Sequence, residues 1–296
     1  MDDELLGALY HYLFSQDNWR STAFHVYSDA LMVLIELFRV GRQLSQRQAL
    51  NRKHWPLWTR RLKFPSYSQF RRRVAAAPVQ QILEQLGTHF RQQLPCTQEK
   101  VCDGKPLLVG GYSKDPDAHT GKAPGGWAKG YKLHAIVDAA GAVETWAVTA
   151  LHVGEGGMAR QLVGRTPLKQ VLLRADANYD SVELYRSVAE AGGRLLAPRR
   201  KPGTGLGHQC QQHEHRLQAI AELEGSAAAL KVFERHRIRI EQVFGHLHNA
   251  PFGIWGLPSH VRRLPRVERW IRAKLALYHL YLVLQQLHRQ PSAEAA

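Results

Sequence analysis

Through residues 1–94, apolar side chains recur at the spacing of amphipathic helices. Leu5, Leu9, Tyr12 and Leu13 mark a first helical face. A second helix runs through Leu31, Leu34, Ile35 and Phe38, with Thr22 or Ser28 as its N-cap and Gly41 at its end. Ser45 opens a short helix towards Leu50. Hydroxyls in the turn Pro65-Ser66-Tyr67-Ser68 cap a helix over Gln69 to Ala77, and Pro78 breaks it. Ile82, Leu86, Phe90 and Leu94 line one face of the next.

Leu94 to Lys100 reads as a linker, and beyond it the period shortens to that of strands. Val101 to Val109 is the first strand, with Asp103 inside it, and a Gly-rich loop holding Lys114-Asp-Pro-Asp117 follows. Gly130 to Val137 and Val143 to Leu151 form a hairpin around Asp138-Ala-Ala-Gly141. Met158 to Val163 is a short helix. Val171 to Leu173 is an apolar run suited to a strand buried on both faces, and Asp176 sits where it ends. Asp180 and Ser181 offer caps for a helix through Leu184, Tyr185, Val188 and Ala189, closed by Gly192-Gly193. Arg194 to Ala197 is a last strand, stopped by Pro198. The order β-β-β-α-β-α-β is that of the RNase H-like fold. It implies an α/β unit with a mixed five-stranded sheet flanked by helices, here preceded by an all-helical domain over 1–94. Lys201 to His215 is Gly- and His-rich and reads as a mobile loop. Two long helices, about Arg235–His248 and Val261–His288, complete a second domain over 101–290, and Gln290 to Ala296 is a frayed polar tail.

Charge narrows the partner. Lysine and arginine number 40 against 25 acids, a net +15, spread along the chain and not gathered in one tail. A folded polycation fits nucleic acid or an anionic membrane. The most apolar run, Ala30 to Leu37, is too short to span a bilayer and contains Glu36. The start Met1-Asp-Asp-Glu4 is acidic where a signal peptide is basic, so nucleic acid is the better reading and no membrane partner is expected. With only Cys96, Cys102 and Cys210, a disulfide scaffold is a poor reading and a reducing cytoplasm fits.

Asp176 lies at the strand-to-helix turn where open α/β sheets place their chemistry. Taken alone it reads more readily as a helix-entry residue. In the RNase H-like order the first strand is central and adjoins the strand of Asp176, so Asp103 faces Asp176 across the pair. An unpartnered carboxylate in a buried strand has to be neutralised or coordinated. The third acid is Glu241, beside the apolar stripe Ile240, Phe244 and Leu247, with Arg237 one turn before it and His248 two turns after. Three convergent carboxylates suit Mg²⁺, a hard cation that also binds phosphate oxygens. Arg71, Arg72 and Arg73 have two readings, a helix laid on DNA phosphates or a solvated face. Successive helical residues point about 100° apart, so three cannot share one groove.

The stretches Asp103-Gly-Lys-Pro106, Ser113-Lys-Asp-Pro-Asp117, Lys129-Gly-Tyr-Lys-Leu-His134, Ala175-Asp-Ala-Asn-Tyr-Asp-Ser181 and Arg239-Ile-Glu-Gln-Val-Phe-Gly245 occur in this order. Together they resemble the DDE (Asp-Asp-Glu) transposases of bacterial insertion sequences, in the retroviral-integrase-like superfamily, over nearly all of 101–250. The resemblance implies metal-dependent strand cleavage at element ends and transfer of the 3′-hydroxyls into target DNA. It places the acids on Asp103, Asp176 and Glu241, holding two Mg²⁺ or Mn²⁺ ions. Lys132 and Arg237 become candidates for neutralising phosphate, although Lys132 also reads as a hairpin surface residue. The family signature around the Glu is Tyr-x2-Arg-x3-Glu-x6-Lys. Arg237 and Glu241 match it, while Glu234 and His248 stand at the Tyr and Lys positions. The implied partners are double-stranded DNA, as terminal inverted repeats and target, and a second protomer in a homodimer on DNA. The implied place is a bacterial cytoplasm at the nucleoid. The alternative is a non-catalytic DNA-binding regulator derived from a transposase.

Other candidates carry less. His208, Cys210, His213 and His215 crowd one short segment without a second ligand pair of suitable spacing, and read as a loop before a zinc site. Gly203-Thr-Gly-Leu-Gly207 neither follows a strand nor opens a helix, so it is no nucleotide fingerprint. Asp115, Asp117 and Asp138 serve turns, and Glu155 is a reserve acid. End recognition falls to residues 1–94, with Gln69 as a base reader, or else to Arg262, Arg266 and Arg269.

Overall fold

A helix that is apolar on every side must be surrounded. In the computed structural model, helix α2 (Asp29–Gly41) is buried at every position from Ala30 onward. The residues described are 1, 3–15, 26–201, 205, 206, 212–248 and 257–289, with the side chains of Arg237, Arg239, Ile240 and His248 excepted. Thr22, His208, Cys210 and the tail Gln290 to Ala296, on which some expectations fall, lie outside them. Two units divide the chain: the described parts of Met1–Leu94, Leu247–Ile254 and Pro258–Ala296 form one, those of Pro95–His246 and Trp255–Leu257 the other.

In the helical unit α2 packs against α1 (Asp3–Ser15), α3 (Gln46–Ala49), α5 (Ala77–Gln92) and α10 (Leu264–Arg289). Ser28 caps α2, its hydroxyl accepting from the Leu31 N–H at 3.2 Å. Ser45 and Ser66 cap α3 and α4 (Tyr67–Arg73), each in a capping box with a glutamine three residues on. Pro78 stands in the first turn of α5, where a missing N–H costs nothing, so it starts that helix.

The final helix departs from expectation. The sequence pattern places it in the sheet domain, yet α10 packs on α5 and α2 within the helical unit. The reason is its burial, continuous from Ala273 to Leu280, which calls for helices on several sides where a sheet would cover only one stripe.

The other unit is built on a sheet in which β1 (Glu99–Leu108) is central. It pairs antiparallel with β3 (Gly126–Asp138) and parallel with β5 (Leu172–Ala175), which pairs parallel with β6 (Arg194–Leu196). On the far edge β3 carries β4 (Val143–Ala150), which completes the RNase H-like order. A sixth strand corrects the expected five. His119–Ala123 forms β2 beside the start of β3, in a stretch that reads as loop because it lacks apolar alternation. Pairing to an overlong neighbour made it a strand. Gly130 of β3 lies between β2 and β1, paired with His119 and Leu108, and its backbone is so close to β1 that a Cβ would overlap the Leu107 carbonyl. Gly130→Ala should therefore cost about 1–3 kcal/mol, read as a lower urea midpoint at unchanged slope; an unchanged midpoint would show that the strands can part there.

Cys102, Leu173 and Ala175 point into one core with Ala159 and Leu162 of α6 (Glu155–Val163) and with Leu184, Tyr185 and Val188 of α7 (Val182–Glu190). Helix α8 (Glu214–Gly225) escapes the apolar pattern because a buried ion pair helps anchor it, Arg216 to Asp180 at 2.7 Å. Helix α9 (Ala227–His248) begins well before the expected Arg235. Among the described residues no helix is long and apolar enough to cross a membrane.

Candidate active site

Side chains alternate across a strand, so the neighbours of Cys102 and Ala175 point to the opposite face. Cys102 pairs with Ala175 in the parallel ladder, which sets Asp103 and Asp176 side by side as the next residues of adjacent strands. That face belongs to α9. His236 meets Glu99 at 3.3 Å, Val243 closes a small cleft over Glu99, Val101 and Arg174, and the Lys105 ammonium lies 5.4 Å from the Phe244 ring centre. Asp103 thus sits on a strand between Val101 and Lys105, beneath a helix anchored at either side of Glu241.

Each aspartate is oriented locally. One Asp103 oxygen accepts from the Gly104 N–H at 2.7 Å. Asp176 caps the turn Ala177–Tyr179, its oxygens accepting from the Asn178 N–H at 2.7 Å and the Asn178 side-chain amide at 3.2 Å. Burial pushes the Asp103 carboxyl from its ordinary 3.8 up to about 6. The Gly104 N–H and Lys105 oppose the rise, and the charges of Asp176 and Glu155 add to it. An acid pair with so little cationic compensation fits a divalent cation, and an all-oxygen donor set fits Mg²⁺ or Mn²⁺.

Glu155 is closer to this centre than its sequence context suggests. It stands in the first turn of α6 and accepts from the Lys132 ammonium at 3.0 Å. A Cβ at position 104 would lie 2.9 Å from its carboxylate and 3.2 Å from Lys132 Cδ, so the glycine after Asp103 makes room for this ion pair. Lys132 is therefore no surface residue. Behind it, His134 bonds Thr149 at 2.9 Å, and burial with the Lys132 charge lowers its pKa to about 4, which keeps it neutral.

The remaining predicted residues are placed as follows. Glu241 lies on α9 with an exposed side chain. Arg237 and His248 lie on the same helix, their side chains outside the described residues. Arg71 and Arg72 are exposed on α4, whereas Arg73 turns inward, donating to the Tyr27 carbonyl and to Asp29. Those partners tie α4 to the start of α2. Gln69 is likewise engaged, its amide oxygen accepting from the Ser66 N–H at 2.9 Å. Burial pushes the Cys102 thiol far up, which makes it a poor nucleophile.

Elsewhere Cys96, Asp138 and Glu144 bring possible ligand atoms within 4.8 Å of one another. The Lys100 ammonium already occupies their centre, 3.0 Å from Asp138 and 2.6 Å from Glu144. Burial works against its charge, but these two carboxylates outweigh that and raise the Lys100 pKa. This is an ion-pair nest with its cation supplied by the chain.

The family described as "Transposase DDE domain" matches residues 95–280. Among solved structures, the chain is similar to the piggyBac transposase in a cryo-EM synaptic complex with hairpin DNA. The TM-score is 0.54 at 10% identity, over 96% of this chain and 73% of that one. No curated protein matches.

Proposed function

Because the chain belongs to the family of transposase DDE domains, we propose that it cleaves DNA at the ends of a mobile element and joins the freed 3′-hydroxyls to target DNA. The observation that carries this reading is the adjacency of Asp103, inside β1, and Asp176, just past the end of the parallel strand β5, with α9 over the same face. Asp103, Asp176 and Glu241 would hold two Mg²⁺ or Mn²⁺ ions, which supply Lewis acidity to the scissile phosphodiester and to the attacking water or 3′-hydroxyl. The Gly104 N–H and Asn178 hold the two aspartates aimed before substrate arrives. Lys132, neutralising Glu155, tempers the negative charge that an incoming phosphate meets. Glu241 is assigned over Glu155 because its helix covers the face of the two aspartates, whereas Glu155 packs beside Gly104, whose side points the other way. The helical unit would contribute to end recognition, the net charge of +15 supports DNA as partner, and holding two ends together calls for at least two protomers. A bacterial insertion sequence, acting at the nucleoid, completes the reading.

The test is nicking of a supercoiled plasmid carrying the element's ends, with Mg²⁺ or with EDTA. Nicking with Mg²⁺ and none with EDTA is expected; DNA binding without a nick in Mg²⁺ would leave a DNA-binding regulator. Two variants then decide the third acid. Outer partners of a metal site typically cost 10–100-fold, so Glu155→Gln should stay within about that range and Glu241→Gln should exceed it. The reverse ranking would move the third ligand to Glu155.

A further inference from the structure

The helical unit carries an open cleft of about 470 Å³ walled by arginines from two distant parts of the chain. Arg39 of α2, Arg47 of α3 and Arg71 of α4 form one side; Arg266 and Arg269 of α10, with His260 just before it, form the other. Arg39 is ion-paired with Glu36 at 2.6 Å. Among the described residues no carboxylate pairs with Arg47, Arg71, Arg266 or Arg269. Arg47, Arg71 and Arg266 are exposed, and the Arg47 guanidinium lies 5.0 Å from the Tyr67 ring centre, which holds it at the rim. Arg269 goes deeper, its Nε buried with no hydrogen-bond partner. Burial lowers its pKa; Glu36 works against that, and the charges of Arg39, Arg266 and Arg272 add to it.

A buried donor without an acceptor, among like charges, is costly unless an anion completes the site. We propose that this cleft seats the phosphodiester backbone of duplex DNA, with Arg47, Arg71 and Arg266 gripping phosphates at the rim and Arg269 reaching one from the floor. The claim rests on the transposase reading above and adds where the helical unit meets DNA. Guanidinium forks match phosphate oxygens in pairs. The cleft is open and has three exposed cations at its rim, which suits a run of successive phosphates better than one small enclosed anion. It also joins the two stretches that sequence leaves as rivals, the arginines of 1–94 and those near Arg266.

The experiment measures binding of the full chain to a labelled duplex by fluorescence anisotropy in EDTA, across a salt series. The triple variant Arg47→Gln/Arg71→Gln/Arg266→Gln should bind at least ~10-fold more weakly, with a salt slope shallower by roughly 2–3, as for that many lost phosphate contacts. A control, Arg160→Gln/Arg165→Gln/Arg186→Gln, removes equal charge from exposed positions elsewhere and should keep most of the slope. Arg269→Met should raise the melting temperature of the free chain while weakening DNA binding, whereas a merely structural arginine would move both downward. Equal slopes for the wild type and the cleft triple would overturn the proposal, as would equal losses in the two triples. So would stabilisation by inorganic phosphate that only the triple loses, with DNA affinity intact. Because no metal is present, these outcomes stand apart from the nicking test: a chain that nicks but binds equally well without its cleft arginines refutes the cleft alone.

Discussion

Asp103→Asn is expected to abolish nicking and strand transfer while leaving DNA affinity within a few-fold, and to make the metal-free protein more stable. The activity loss follows from the loss of a ligand to the ions. Lewis-acid stabilisation is worth several kcal/mol, hence about 10³-fold or more in rate. The gain in stability follows from the raised pKa. The folded carboxyl titrates near 6 against an ordinary 3.8, so folding favours its protonated form. That contribution is fully present below about pH 4 and is lost as pH rises through 6. At neutral pH the ionised group costs roughly 3 kcal/mol, which asparagine avoids while still accepting from the Gly104 N–H. Calorimetry at pH 7.5 and pH 4, beside the nicking assay, checks both halves. A melting temperature that falls at pH 7.5 would mean that Asp103 supports the fold and is not held there for its chemistry.

Lys274→Met should produce the largest gain in stability of any single change in the helical unit. The Lys274 side chain is fully buried on α10, its ammonium lacks a hydrogen-bond partner, and it lies 5.5 Å from the centre of the Trp270 ring. Burial, with the charge of Arg39 adding, lowers its pKa to about 7 from 10.5. For a base shifted this way, stability is present above the unfolded pKa and is lost as pH falls through the folded one. The lysine therefore costs most at and below pH 7, with a ceiling of about 5 kcal/mol from the size of the shift; contact with the Trp270 ring reduces that. Methionine keeps the stem's volume and removes the charge. Urea midpoints at pH 7 and pH 10 give the answer. A benefit as large at pH 10 as at pH 7 would point to packing and refute the buried charge as the cause.

Much of this protein can be read from local pattern alone. Apolar periodicity and hydroxyl caps located α2, α3, α4 and α5, because capping and amphipathicity act within a few residues. The order of strands and helices pointed to the RNase H-like sheet, and the run Val171 to Leu173 ending at Asp176 pointed to one end of the candidate site. Elements held by partners far along the chain were not legible. Strand β2 exists because β3 runs on beyond its pairing with β4, and α8 is anchored in part by Arg216 on Asp180. Glu155 looked incidental until the fold carried α6 to Gly104, and Arg73 looked like its neighbours until its guanidinium met Asp29.

Sequence by itself determined which residues can do chemistry: one aspartate inside a strand, another at a strand's end, a glutamate on a helix and a large excess of arginine. Tertiary structure decided which of them meet. The parallel register set Asp103 against Asp176, strand alternation put α9 on their face, and α10 folded back onto α2, bringing Arg266 and Arg269 to Arg47 and Arg71. The physical reason is range. Propensity and capping are settled within a turn or two of chain, whereas charge and burial at a site depend on atoms that only long-range packing brings within a few ångströms.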